Sequence, residues 1–214
     1  MGLFDSLKNI ANAVNGLGNK ANNLTSKANN VGNKASNIAS QFGAAAKKAS
    51  LKSETFTFNK LPTSVEELMS LPEAALSTPF MTAALTVAVL ANYENDKQAT
   101  FAMLDVLHGP SPLTPSTKQF LLDRLGGKMY VVRSYFGGTS PANDYTPAEP
   151  FTVTVKDNPY SYDNEGYVKL FMHSSGADSD REIVLRRKGE QWMLWDEKFL
   201  LGDIRIPKSA APWA

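Results

Sequence analysis

Residues 77–93 read STPFMTAALTVAVLANY, and this stretch decides the fold. Between Pro79 and Leu90 only Thr82 and Thr86 are polar, so a helix here is apolar nearly all round. Such a helix has no wet face and must be enclosed by other elements. Ser77 or Thr78 can cap its start, and Pro79 suits the first turn because its missing N–H would have no partner there. The reading is a central, buried helix.

Working outward, the flanking segments are helical and amphipathic. SETFTFNKLP (53–62) reads as an extended entry. In TSVEELMSL, Thr63 is placed to cap a short helix with Glu66 three residues on, the spacing of a capping box, and Pro72 ends it. From Asn95 to Leu107 a second helix sets Phe101, Leu104 and Leu107 on one face, before the break HGPSP (108–112). Thr114 or Ser116 opens TPSTKQFLLDRLGG, which the pair Gly126–Gly127 closes.

Beyond the glycine pair the period changes. KMYVVRSYF, FTVTVKD, GYVKLFMHS, REIVLRRKG and QWMLWDEK are short, rich in β-branched and aromatic residues, and separated by turn residues. GADSD (176–180) and Lys188-Gly189-Glu190 read as hairpin turns. The expectation is an α+β body over 53–214, with helices from about 63 to 125 packed on one face of an antiparallel sheet from about 128 to 206. Trp213 is expected to pack down.

Helices followed by a meandering sheet, with WMLWDEKFLLGDIRIP near the end, are similar to cone-shaped NTF2-like domains. The body also resembles an uncharacterised bacterial domain family of unknown function that ends in a similar Pro-Trp-Ala. Neither resemblance implies an activity, because NTF2-like folds host enzymes, binders and scaffolds alike.

Residues 1–52 are of another kind. Aligned in sevens, residues 18–38 read GNKANNL, TSKANNV, GNKASNI. Leu3, Ile10, Leu17, Leu24, Val31, Ile38 and Ala45 share one heptad position. Leu7, Val14, Ala21, Ala28, Ala35, Phe42 and Ala49 share the position four residues on. This 4–3 spacing is the pattern of a helix with a narrow apolar seam, beside which Lys20, Lys27 and Lys34 form a basic row. Propensity opposes it. Ten Asn, with Gly16, Gly18, Gly32 and Gly43, interrupt the run, and each Gly costs about 1 kcal/mol relative to Ala. The arm is therefore expected to be helical only against a partner surface.

The opening turns carry a wider apolar face, because Phe4 and Ala11 flank the seam and Lys8 sits beside it, which describes an interfacial helix. GLFDSLKNIANAVNGL (2–17) resembles the membrane-active peptides of the aurein and citropin type. Its MGLFD start also resembles the membrane-binding N-terminal helix of the phage-shock protein A and Vipp family. That family's long charged hairpin is absent, so membrane remodelling is not implied. Gly2 and Ser6 match the myristoylation template as well. A helix packing on the body or on a second copy is the alternative reading.

Charge supports an anionic partner for the arm. Residues 1–52 hold seven lysines and one acid, a net +6, and the remainder holds 15 basic and 20 acidic residues, a net −5. A basic arm on an acidic body suits an anionic membrane surface or another copy of the chain. Nucleic acid is not expected: the arm's lysines lack interleaved aromatics, and Arg181, Arg186, Arg187 and Lys188 form a short cluster in an acidic body. With no cysteine there is no disulfide, thiol nucleophile or Cys-based zinc site. No run reaches the roughly 18 apolar residues of a membrane span, and the opening lacks a secretory signal's basic n-region. A cytoplasmic protein, peripheral at a membrane, is the expectation.

Chemistry is sparse. His108, before Gly-Pro at a helix end, reads as a C-terminal cap, and His173 in a strand has no evident partner. Asp178, Asp180 and Glu182 alternate without the spacing of a calcium loop. Asp144, Asp157 and Asp163 lie among Tyr145, Tyr160, Tyr162 and Tyr167, a composition that can line a groove. No catalytic residue, metal site or cofactor is expected. The leading expectation is a non-enzymatic interaction protein, with the arm for membrane-surface attachment or self-assembly and the body binding an unknown protein partner. The alternative is an NTF2-like pocket domain that binds a small ligand or acts on it.

Overall fold

The computed structural model describes residues 51–211. The helix expected at the centre is there. Pro79–Leu90 (α2, after the short α1, Val65–Ser70) buries every residue except Met81. Thr78 is its cap, accepting from the Met81 N–H at 3.3 Å. Its two polar residues are satisfied in place: the Thr82 hydroxyl donates to the Trp192 carbonyl at 2.6 Å and the Thr86 hydroxyl to the Thr82 carbonyl at 2.8 Å. Both can therefore be enclosed without the cost of an orphaned hydroxyl.

Three more helices follow. Asp96 caps Lys97–His108 (α3), Thr114 caps Pro115–Leu125 (α4), and Tyr130–Arg133 forms the single turn α5. Phe101, Leu104 and Leu107 of α3 are all buried, as their common face requires. At α1 the cap lies one residue later than Thr63. Ser64 accepts from the Glu67 N–H, and the Glu67 carboxylate reaches back to the N–H and hydroxyl of Thr63.

The sheet is a five-stranded antiparallel meander in the order β1 (Ser53–Phe58), β2 (Phe151–Lys156), β3 (Tyr167–Met172), β4 (Arg181–Lys188) and β5 (Gln191–Asp196). The fold class is α+β, and all five helices are inserted between β1 and β2. The entry segment is thus a full edge strand, paired from Ser53↔Lys156 to Phe58↔Phe151. α2 touches all five strands, which wrap one face around it. Val153, Val155, Val168, Leu170, Met172, Ile183, Leu185 and Leu194 point to that face and are buried.

KMYVVRSYF is a correction, because its centre is α5 and not a strand. Met129, Val131, Val132, Tyr135 and Phe136 are all buried, at helical 3–4 separations that no period of two provides. The Tyr135 hydroxyl donates to the Leu200 carbonyl at 2.5 Å and holds the turn in place. β4 and β5 are joined through Gly189, at φ 59°, and their register slips between Val184 and Leu185. Val184 faces Asp196 and Leu185 faces Leu194, so Trp195 is the extra residue of a bulge.

Candidate functional site

Among the described residues, the face of the sheet opposite α2 carries an open groove. Tyr167, Lys169 and Phe171 of β3, Glu182 and Val184 of β4, and Trp195 on the bulge line a groove of about 910 Å3. The segment between β2 and β3 forms its wall with Asn158, Tyr160, Ser161, Asp163, Asn164 and Glu165. That wall is tied down: the Tyr160 N–H donates to Asn158 Oδ1 at 2.8 Å, the Asn158 N–H to Ser161 Oγ at 2.8 Å, and the Lys169 N–H to the Ser161 carbonyl at 3.0 Å. A second open groove of about 560 Å3 shares Phe171 and Glu182 with the first and extends past Phe120, Arg124 and Phe199.

Large rings stand in solvent along this face. Tyr160 is 71% exposed, Phe199 56% and Trp195 44%. Trp195 packs edge-on to Tyr167 with ring centres 5.5 Å apart, and the Arg186 guanidinium lies 5.0 Å from the Trp195 ring centre. The larger groove is lined by Asp163, Glu165, Glu182 and Asp196 and by the cation Lys169, which pairs with Glu182 at 3.0 Å, while Lys198 pairs with Asp196 at 3.7 Å from just outside the lining. It is an acidic, aromatic trough.

The ionisable groups noted in the sequence fall into separate places. His108 ends α3 with Nε2 3.5 Å from Glu197 Oε2, so it has a buried carboxylate partner in addition to its place at a helix end. His173 also has a partner, Asp180, at 3.1 Å from Nδ1, and Asp180 pairs with Lys156 as well. Asp178 pairs with Arg205. Among the described residues no cluster of three or more His, Asp or Glu side chains could hold a metal ion. Of the aspartates and tyrosines read as a possible groove, Asp163, Tyr160 and Tyr167 do come together. Tyr145 is buried instead, its hydroxyl donating to the Arg205 carbonyl at 2.6 Å, with the phenol pushed up by burial. Arg181 is separated from Arg186, Arg187 and Lys188 by the length of β4 and donates to the Gly202 and Asp203 carbonyls.

Glu197 escaped sequence reading. It sits in the charged run WDEK, which looks like solvated surface, yet it is 1% exposed. No local signal marks it, because its partner His108 arrives from a distant helix.

The residues proposed for the arm lie outside the described residues: Leu3, Phe4, Leu7, Lys8, Ile10, Ala11, Val14 and Leu17, the seam Leu24, Val31, Ile38 and Phe42, and the row Lys20, Lys27 and Lys34. Among the described residues no helix is long and apolar enough to cross a membrane.

Residues 60–208 match a family described as a domain of unknown function, DUF6935. The chain belongs to that family. The matched span takes in α1 to α5 and β2 to β5, and it leaves β1 outside. No curated protein matches the chain, and no solved structure matches it.

Proposed function

We propose that the protein is a non-enzymatic interaction protein. Its arm attaches to an anionic membrane surface or to another copy, and its DUF6935 body docks a basic, extended segment of a protein partner along the outer face of the sheet. The observation that supports this reading is the open trough with its exposed Tyr160 and Trp195 and its four lining carboxylates. Exposed aromatic anchors ringed by polar groups are typical of recognition surfaces. The surplus of negative charge favours a cationic occupant. The tethered wall between β2 and β3 reduces the ordering cost of binding. The trough is open along the sheet, a form that suits the docking of an extended segment.

Oligolysine is a direct probe. Titrated into the full chain, a ten-lysine peptide is expected to quench tryptophan emission saturably, while a ten-glutamate peptide does not. The change Asp163→Asn, Glu165→Gln and Asp196→Asn is expected to weaken that binding at least tenfold at low salt. Equal affinity of parent and variant for oligolysine would end this assignment of the trough.

A further inference from the structure

A different pocket lies at the far end of β4. Arg186, Arg187 and Lys188 rim a cavity of about 290 Å3, opposite Pro110 and Ser111 of the segment after α3. Met193, Leu194 and Trp195 of β5 supply its apolar wall, and His108 contributes to its lining. Gly109 lets the chain turn here with φ at 61°, and its backbone approaches Met193 so closely that a Cβ would meet the sulfur at 2.8 Å. The cavity is therefore built by close packing of two elements, not by a loose loop.

Its electrostatics are one-sided. The cations Arg186, Arg187 and Lys188 line it together with His108, and no carboxylate does. Among the described residues Arg186, Arg187 and Lys188 form no ion pair. Arg186 lies against the Trp195 and Tyr167 rings, and Arg187 uses Nε on the Gly189 carbonyl at 3.1 Å, which leaves its terminal nitrogens for another acceptor. His108 is 8% exposed, and its Nε2 faces the buried Glu197 Oε2 at 3.5 Å, which sets the ring at the floor of the cavity.

We infer that this pocket binds a small phosphate ester. Two guanidinium groups and an ammonium suit a dianion with several acceptor oxygens, because each Arg can offer paired donors in one plane. The volume is near the lower end for ligand pockets, enough for a phosphate and one compact apolar group. That group would lie on Met193, Leu194 and Pro110. Glu197 is a positioning residue: held 3.5 Å from Nε2, it fixes the His108 ring from behind. The same chemistry is offered by a soluble phosphate monoester and by the monoester headgroup of phosphatidic acid.

Calorimetry on the full chain with phenyl phosphate, competed by inorganic phosphate, tests the soluble source. Calorimetry with a short-chain phosphatidic acid, kept dissolved below its micelle concentration so that the arm meets no membrane surface, tests the headgroup. The variant R187Q/K188Q alters two exposed side chains and is expected to keep the parent unfolding midpoint. It should lose phenyl phosphate binding at least tenfold, or binding of the dissolved phosphatidic acid at least tenfold if the headgroup is the ligand, whereas K208Q changes neither. If the double variant shifts the midpoint, K188Q alone should still weaken binding at least threefold. Affinities for both probes that are the same in parent and variants, or no binding of either probe by the parent, would overturn the assignment.

Discussion

Glu67 shows how one half-buried side chain can hold a local structure. Its carboxylate pairs with Lys60 and accepts from the hydroxyl and N–H of Thr63, both at 2.8 Å. These bonds, Lys60 first, hold its pKa at about 2, below the ordinary value of 4.5. A carboxyl whose pKa is lowered by folding adds stability that is fully present above its unfolded value and is lost as pH falls through its folded value. The unfolding midpoint of Glu67→Gln should therefore lie below the parent's at pH 6, and the gap should close between pH 4.5 and 2. Urea melts across that range check this. A gap that is constant with pH would show that the amide makes up none of the loss and that ionisation is irrelevant. At the same scale, Thr78, Asp96 and Thr114 cap their helices through side-chain oxygens that sequence spacing could identify. Ser64 displaced Thr63 because two adjacent hydroxyls compete, and the longer reach of Glu67 decides between them. The pair His108–Glu197 was not legible, since its members meet only through the packing of α3 against β5.

At the scale of elements, α2 is the part on which the rest depends. Leu85 is fully buried, whereas Met81 is the one residue of the helix that is not. Leu85→Ala should cost about 2–5 kcal/mol, because the space it leaves is walled on all sides. Met81→Ala should cost much less, and a urea titration of the two variants ranks them. Equal losses would mean that α2 is not enclosed as described. The all-round apolar composition that makes Leu85 critical is also what made this helix legible in the sequence. Gly126 and the Gly189 turn likewise mark boundaries that the structure has. KMYVVRSYF was misread because β-branched residues imitate a strand in a short segment, while burial at helical separations becomes visible only in the packed body. β1 was read as an entry because its partner, β2, lies beyond the whole helical block, so no local hairpin signal exists.

Over the whole molecule, composition divides a lysine- and asparagine-rich arm from a body of ordinary globular make-up. The α+β class and the DUF6935 match belong to the body. The trough on its outer face was legible only as a run of tyrosines and acids, because the sheet's curl and the Trp195 bulge bring Tyr160, Tyr167 and Trp195 to one place. For the arm, the proposal assigns most of the binding energy to Phe4 and Leu7. Burying each contributes about 1.5–3 kcal/mol, while a lysine near an anionic leaflet contributes about 1 kcal/mol and is screened by salt. The most direct test of the interaction role is sedimentation of the full chain, alone and with anionic vesicles, for the parent and for Phe4→Asp with Leu7→Asp. The double variant should lose vesicle pelleting, or the self-association of the vesicle-free run, and keep the parent's unfolding midpoint. A double variant that sediments like the parent in both runs would contradict that role.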